Sequence, residues 1–303
     1  MNRPDRFPSK DIRDIPAPDH SDILGLNFIR TPGIYHFRRH YRSGLRSHIM
    51  ELLRPGDLRI ERKGTLDKGG MRLFPRARPV RILRIFKRRF RSRKEIESEL
   101  KRVKIISAYL GPDNVARSDE FLVSYLAGKR CEHVLCGLQE YVEGEILDPW
   151  AGLHDKMLKT LLLRMASEKA EAGEQSVDKR LFDAKQKAGV FIKKLKALVY
   201  EAGYVPDLAG MGNLLITRAG DIKLVDINNI SRVDFSPRIA VDEKGYPVCD
   251  KSIQALALLE EQLSGQIDKK EKIYEVYTAS KRVKDARKLE RRFHLSLDTS
   301  SYP

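Results

Sequence analysis

The sequence predicts an α+β protein organised as two lobes, and three observations carry that expectation. Short alternating apolar runs with one charged helical stretch among them occupy residues 58–142. Helical periodicity takes over from there to Gly203, and a strand–turn–strand signature follows it. At 303 residues the chain is long enough to bury two cores. No apolar run is long enough to span a bilayer, and the N-terminus lacks the apolar stretch of a signal peptide. Three cysteines, Cys131, Cys136 and Cys249, exclude a disulfide framework and point to a reducing, cytoplasmic compartment.

Taken in order, residues 1–57 read as a flexible basic arm followed by a helix. Pro4, Pro8, Pro16 and Pro18 stand among charges, and Tyr41–Leu53 places Leu45, Ile49 and Leu52 on one helical side. His36 and His40 lack a third ligand and read as surface residues. Residues 58–142 form the first lobe. Leu58–Glu61 alternates as a strand, and Gly64–Gly70 makes a turn. Gly69 and Gly70 could lay backbone N–H groups over phosphates there. Val80–Phe86 is a second strand, Ser92–Leu110 a charged helix stopped by Gly111-Pro112, and Glu120–Ala127 and Val134–Val142 two more strands. The Cys131–Cys136 segment has metal-type side chains but no second ligand pair, and reads as half-buried strand.

Residues 143–265 form the second lobe. Leu153, Met157, Leu161 and Met165 share one helix face. Leu181, Ala184, Ala188, Phe191, Leu195, Leu198 and Ala202 define a longer helix that Gly203 caps. The stretch GYVPDLAGMGNLLITRAGDIKLVDINNI then carries a polar loop with Asp207 and Asn213, and two short apolar runs joined by a Gly-containing turn. Such a hairpin sets Asn213 beside Asp226, an oxygen pair that suits Mg²⁺; the plainer reading is a surface hairpin with polar caps. Residues 266–303 read as a charged helix over Lys269–Phe293 and a tail.

Charge is unevenly spread. The chain carries 58 Lys+Arg against 42 Asp+Glu, a net +16, and residues 1–104 hold 28 against 12, so the remainder is balanced at 30 of each. A basic region of this kind attracts anionic headgroups, nucleic acid or phosphorylated substrates.

The order of these features resembles the protein-kinase-like superfamily over roughly residues 58–265. Val205-Pro206-Asp207 after the long helix is similar to the entry to the catalytic loop H-R-D-x-x-x-x-N, and Asn213 and Asp226 stand where the loop Asn and the D-F-G Asp would fall. Leu138–Gly144 resembles the hinge that holds adenine through backbone groups, here those of Glu140 and Val142. Val80–Lys87 resembles the strand bearing the ATP-phosphate lysine, with Glu99, or alternatively Glu95, as its helical partner. Asp250–Leu256 resembles the start of the buried helix that anchors the catalytic loop.

The departures are specific. Asp207 lies six residues before Asn213 instead of five, Arg84 stands at the lysine position with Lys87 three residues on, and Asp226-Ile227-Asn228 replaces D-F-G. No A-P-E-like segment follows. Within the superfamily the chain is nearest in look to small bacterial kinases of the lipopolysaccharide-kinase type, which share a basic run after the lysine strand.

The resemblance implies ATP and Mg²⁺ as cofactors, Asn213 and Asp226 as metal ligands, Arg84 or Lys87 on the phosphates, and Asp207 as base for a hydroxyl acceptor, on a sugar or lipid-linked sugar. It also implies a membrane surface, more than nucleic acid, as partner of the basic region, with the inner membrane face as its location. The alternatives are a catalytically impaired pseudokinase acting as a binding module, and a basic nucleic-acid-binding protein.

Overall fold

The computed structural model describes residues 11–31, 33–41, 44, 46–127, 130–167, 177–227, 229–265 and 267–299. It is a mixed α+β chain that divides into two compact units, one of residues 1–100 and 117–141, the other of residues 101–116 and 142–303.

The first unit is built on a five-stranded antiparallel sheet. Its strands are β1 (His36–Arg39), β2 (Ser47–Leu53), β5 (Arg81–Phe86), β7 (Arg130–Glu140) and β6 (Ser118–Ala127), adjacent in that order. On one face Met50, Leu83, Ile85, Val134 and Cys136 pack beneath Ile12, Ile23 and Leu26. Ile23 belongs to α1 (His20–Leu24), which opens with a capping box between Asp19 and Asp22. Phe86 and Leu135 on the opposite face meet Ile96 of α3 (Arg93–Asn114). Gly111 breaks α3 with φ 70°, which is where the sequence placed the stop.

Two sequence expectations fail here. Tyr41–Leu53 is not a helix: its second half is β2, an inner strand. Nearly all of β2 is buried, because both faces are covered, so the alternation that marks a strand is lost and a helical spacing of apolar residues appears by coincidence. The first 57 residues are therefore not an arm alone, since β1 and β2 belong to the sheet; residues 1–10 lie outside the described range.

Leu58–Glu61 is not a strand but part of helix α2 (Pro55–Lys63), with Pro at its first turn, Asp57 there and Gly64 just past its end at φ 72°. A small separate hairpin follows, β3 (Thr65–Leu66) and β4 (Arg72–Leu73), outside the main sheet.

In the second unit, α4 (Asp155–Ser167) and α5 (Val177–Ala197) pack with α6 (Val248–Ser264) around Phe191, Leu195, Ile253 and Leu256. A π turn, Leu198–Ala202, ends α5 and Gly203 caps it at φ 72°. Three small pairings follow: β9 (Tyr204–Pro206) with β12 (Ile230–Arg232), and β10 (Leu214–Ile216) with both β11 (Ile222–Leu224) and β8 (Glu145–Ile146). The helix expected over Lys269–Phe293 is instead two, α7 (Lys272–Tyr277) and α8 (Ser280–Thr299). Among the described residues no helix is long and apolar enough to cross a membrane.

Candidate active site

The hairpin β10–β11 pairs Leu214 with Leu224, and Val225 N–H donates to Asn213 C=O at 2.8 Å. Asn213 and Asp226 therefore emerge at the same end of the hairpin, as the sequence spacing predicts. Pairing of β9 with β12 brings Asn229 to Asp207, whose N–H donates to Asn229 C=O at 2.9 Å. One loop, 207–213, thus runs between two short pairings; Leu208 and Ala209 in it are buried in the core of this unit, while Met211 is exposed.

The extra residue in that loop is taken up locally. Asn213 Nδ2 donates to the Asp207 carbonyl at 2.9 Å, and Asn213 N–H to the Gly210 carbonyl at 3.0 Å. Gly210 is needed for this: a Cβ there would stand 2.5 Å from Asn213 Nδ2. With Nδ2 spent on the loop, the amide oxygen is the atom Asn213 has to offer a cation. Leu208 N–H donates to Ser252 Oγ of α6 at 3.2 Å, and Trp150 Nε1 to Ala209 C=O at 3.3 Å, so the loop is tied to the core from two sides.

Asp207 is only 8% exposed. Its Oδ1 accepts from Ala209 and Gly210 N–H, each at 3.1 Å, and its Oδ2 from Asn229 Nδ2 at 3.1 Å. Burial, reinforced by the charge of Asp226, outweighs these donors and pushes the carboxyl up to about 6. The Asn213 amide oxygen and the Asp226 carboxylate are both hard-oxygen donors of the kind divalent cations take. Among the described residues no group of three or more His, Cys, Asp or Glu side chains gathers as a metal site.

In the first unit, α3 buries Ile96 and Glu99, and Glu99 is the buried carboxylate there. Glu95 is instead used at the start of the helix, accepting from Arg91 N–H at 2.8 Å and Arg88 Nη2 at 2.6 Å. Arg84 is buried on the sheet face that meets α3, as its neighbour Phe86 shows, and donates to Gln139 Oε1 at 3.3 Å.

Lys87 falls on the opposite face by strand alternation and donates to Gly44 C=O at 3.2 Å. Arg88, which the sequence reading passed over, lies 3.6 Å from Glu99 Oε2. Glu120 was missed as well. It pairs in register with Gly137, as Arg84 does from the other side, and burial raises its pKa against the lowering charge of Arg84. The signal available was the glycine itself, which leaves room between an arginine and a glutamate on neighbouring strands.

Gly69 and Gly70 do not form a phosphate cradle. Asp67 Oδ1 accepts from Gly69 N–H at 2.9 Å and Met71 N–H at 2.8 Å, and Asp67 C=O accepts from Gly70 N–H at 3.1 Å. The donors are consumed within the turn, around a carboxylate that would repel phosphate.

Glu140 closes β7 and donates its N–H to Arg117 C=O at 2.8 Å. Val142 lies just past the strand, where the first unit ends and the second begins. No protein-family model and no curated protein matches this chain.

The cysteines form no cluster. Cys136 is in the sheet core with its thiol pushed up to about 12 by burial, and Cys131 is exposed.

Proposed function

We propose that the chain is an ATP-dependent phosphotransferase acting on a hydroxyl acceptor. The observation that carries the reading is the 207–213 loop: a buried carboxylate raised to about 6, folded against an asparagine whose amide is locked to its carbonyl, beside a second aspartate. A general base works best with a pKa near the working pH, and Asp207 meets that condition through burial and Asp226. Asp207 would take the acceptor hydroxyl's proton onto its carboxylate. Asn213 and Asp226 would supply oxygen ligands to Mg²⁺, which when bound offsets charge on the ATP phosphates. Arg84 would add a fixed positive charge, and Glu99 would orient it. Backbone groups of Glu140 and Val142 would hold the base. A sugar or lipid-linked sugar is the proposed acceptor class.

The direct test is ADP formation by the purified chain with ATP and Mg²⁺. Turnover that is lost in Asp226→Ala and on chelation supports the reading, and failure to bind nucleotide at all overturns it.

A second reading is favoured by one observation. Both Asp207 oxygens are engaged by three donors, an arrangement that also suits a nucleotide-binding module without turnover. Mg²⁺-dependent thermal stabilisation by ATP, without ADP release in the presence of any hydroxyl acceptor, would decide for it.

A further inference from the structure

The corner of the first unit made by α2 and the β3–β4 hairpin is an unusual surface. Helix α2 buries no residue, and every residue of β3 and β4 is exposed. Large apolar side chains concentrate there: Ile60 is 44% exposed, Leu66 60%, Met71 65%, Leu73 45% and Phe74 61%. Solvating so many neighbouring apolar groups is costly, and in a soluble chain such a patch marks a surface with an occupant.

The projection is held in place. Arg38 donates to Glu51 at 2.7 Å, to both oxygens of Glu61 at 2.8 and 2.9 Å, and to Ala77 C=O at 3.1 Å. Ala77 N–H returns to Glu61 at 2.8 Å. Glu61 of α2 and Ala77 beyond the hairpin are thereby fastened to β1. Arg72 Nη1 donates to Lys63 C=O at 2.7 Å, which ties the hairpin to the end of the helix.

The same helix lines a cavity of about 340 Å³, where Arg59, Arg62 and Lys63 face His20 and His36. No carboxylate among the described residues pairs with any of those three cations. His20 and His36 stack with centroids 4.1 Å apart, and His20 Nδ1 accepts from Phe37 N–H at 3.1 Å, which leaves its other ring nitrogen as the donor. Burial chiefly, with the charges of His20, Arg62 and Arg38 in the same direction, lowers the pKa of His36. A cavity that is cationic beside a projecting apolar hairpin has the chemistry of an interfacial membrane anchor: side chains for the acyl boundary and cations for the headgroup phosphates.

We infer that this corner docks the protein on an anionic lipid bilayer, with Leu66, Met71, Leu73 and Phe74 entering the interface and Arg59, Arg62 and Lys63 engaging headgroup phosphate. The inference is independent of the phosphotransferase reading. Charge complementarity selects the occupant: residues 1–104 carry the whole net positive charge of the chain, and apolar tips set among cations suit a lipid surface better than a nucleic-acid backbone, which offers phosphate but no apolar phase.

The test is co-sedimentation of the full chain with mixed phosphatidylglycerol–phosphatidylcholine vesicles and with pure phosphatidylcholine vesicles. Leu73→Ser/Phe74→Ser and Arg59→Glu/Arg62→Glu double variants are run beside it. These side chains are exposed, so circular dichroism and melting temperature should match the parent. The expected result is partition onto the anionic vesicles only, weakened about tenfold or more by either double variant. Free glycerol phosphate should leave that partition unchanged. Absence of partition, partition indifferent to the Leu73/Phe74 variant, displacement by glycerol phosphate, or retention of RNA without any vesicle binding would each overturn the inference.

Discussion

Burial and the charge of Asp226 push the Asp207 carboxyl from an ordinary value of 3.8 up to about 6, and this has consequences for both stability and rate. A group whose folded pKa lies above its unfolded one contributes stability below the unfolded value, and that contribution is lost as pH rises through the folded value. The fold is therefore working against Asp207 at neutral pH, by an amount on the order of 2–3 kcal/mol. Asp207→Asn keeps Oδ1 for the Ala209 and Gly210 donors, and Asn229 can turn its amide to accept. Its melting temperature should exceed the parent's at pH 7.5 and approach it below about pH 4, while ADP formation is abolished. In the parent, the rate should climb with pH through about 6 as the base deprotonates. A parent and an Asp207→Asn variant with parallel stability-versus-pH curves would contradict the buried, raised carboxyl.

Gly210 permits a second residue-scale prediction. A methyl group there meets the Asn213 amide at 2.5 Å, so Gly210→Ala should displace the amide oxygen. A shift of about 1 Å commonly costs on the order of a hundredfold in rate, so ADP formation should fall steeply while thermal stability changes little.

Between elements, a knot of ion pairs fastens α2 to the sheet. Glu51 is almost fully buried in β2 and receives Arg38 at 2.7 Å and His40 Nδ1 at 2.7 Å. Burial raises its pKa, but those two partners outweigh burial and hold the carboxyl below its ordinary value. Its stabilising contribution is therefore present above the unfolded carboxylate pKa and lost as pH falls through the folded one. Glu51→Gln removes the buried charge that Arg38 and His40 match, while Arg38 keeps Glu61, and should cost about 1–2 kcal/mol at pH 7, read by urea melts. That cost should shrink in acid, where the parent loses the same charge.

This knot also shows where sequence reading runs out. β11 and α5 were legible because each packs one face on the core, so apolar spacing keeps its period. β2 was not, because burial on two faces erases the alternation. α2 was misread because its apolar residues pack on nothing: Pro55 and Gly64, the end signals, carried more information than Leu58 and Ile60 did. In the site, Asn213 and Asp226 followed from hairpin register, a local property. Asn229, Ser252 and Glu120 did not, since each meets its partner only through long-range pairing.

Over the whole molecule, the groups assigned to phosphate chemistry are divided between the two units. Arg84 and Glu99 belong to the first, and Asp207, Asn213 and Asp226 to the second. The proposed phosphotransfer invokes both sets, whereas metal binding by the hairpin would invoke only the second. Arg84→Met preserves much of the apolar volume of a buried strand residue and removes its charge. It should abolish ADP formation as completely as Asp226→Ala does, while leaving the second unit's own hydrogen bonds intact.

Lys87→Met serves as the contrast, because strand alternation turns Lys87 toward Gly44 and away from the face that bears Arg84. It should retain turnover within about tenfold of the parent, since an interaction absent from the transition state contributes nothing to the chemical step. Loss of turnover in Lys87→Met with retention in Arg84→Met would move the phosphate contact from Arg84 to Lys87. Retention in both would remove the first unit from the chemistry and leave it only its surface role.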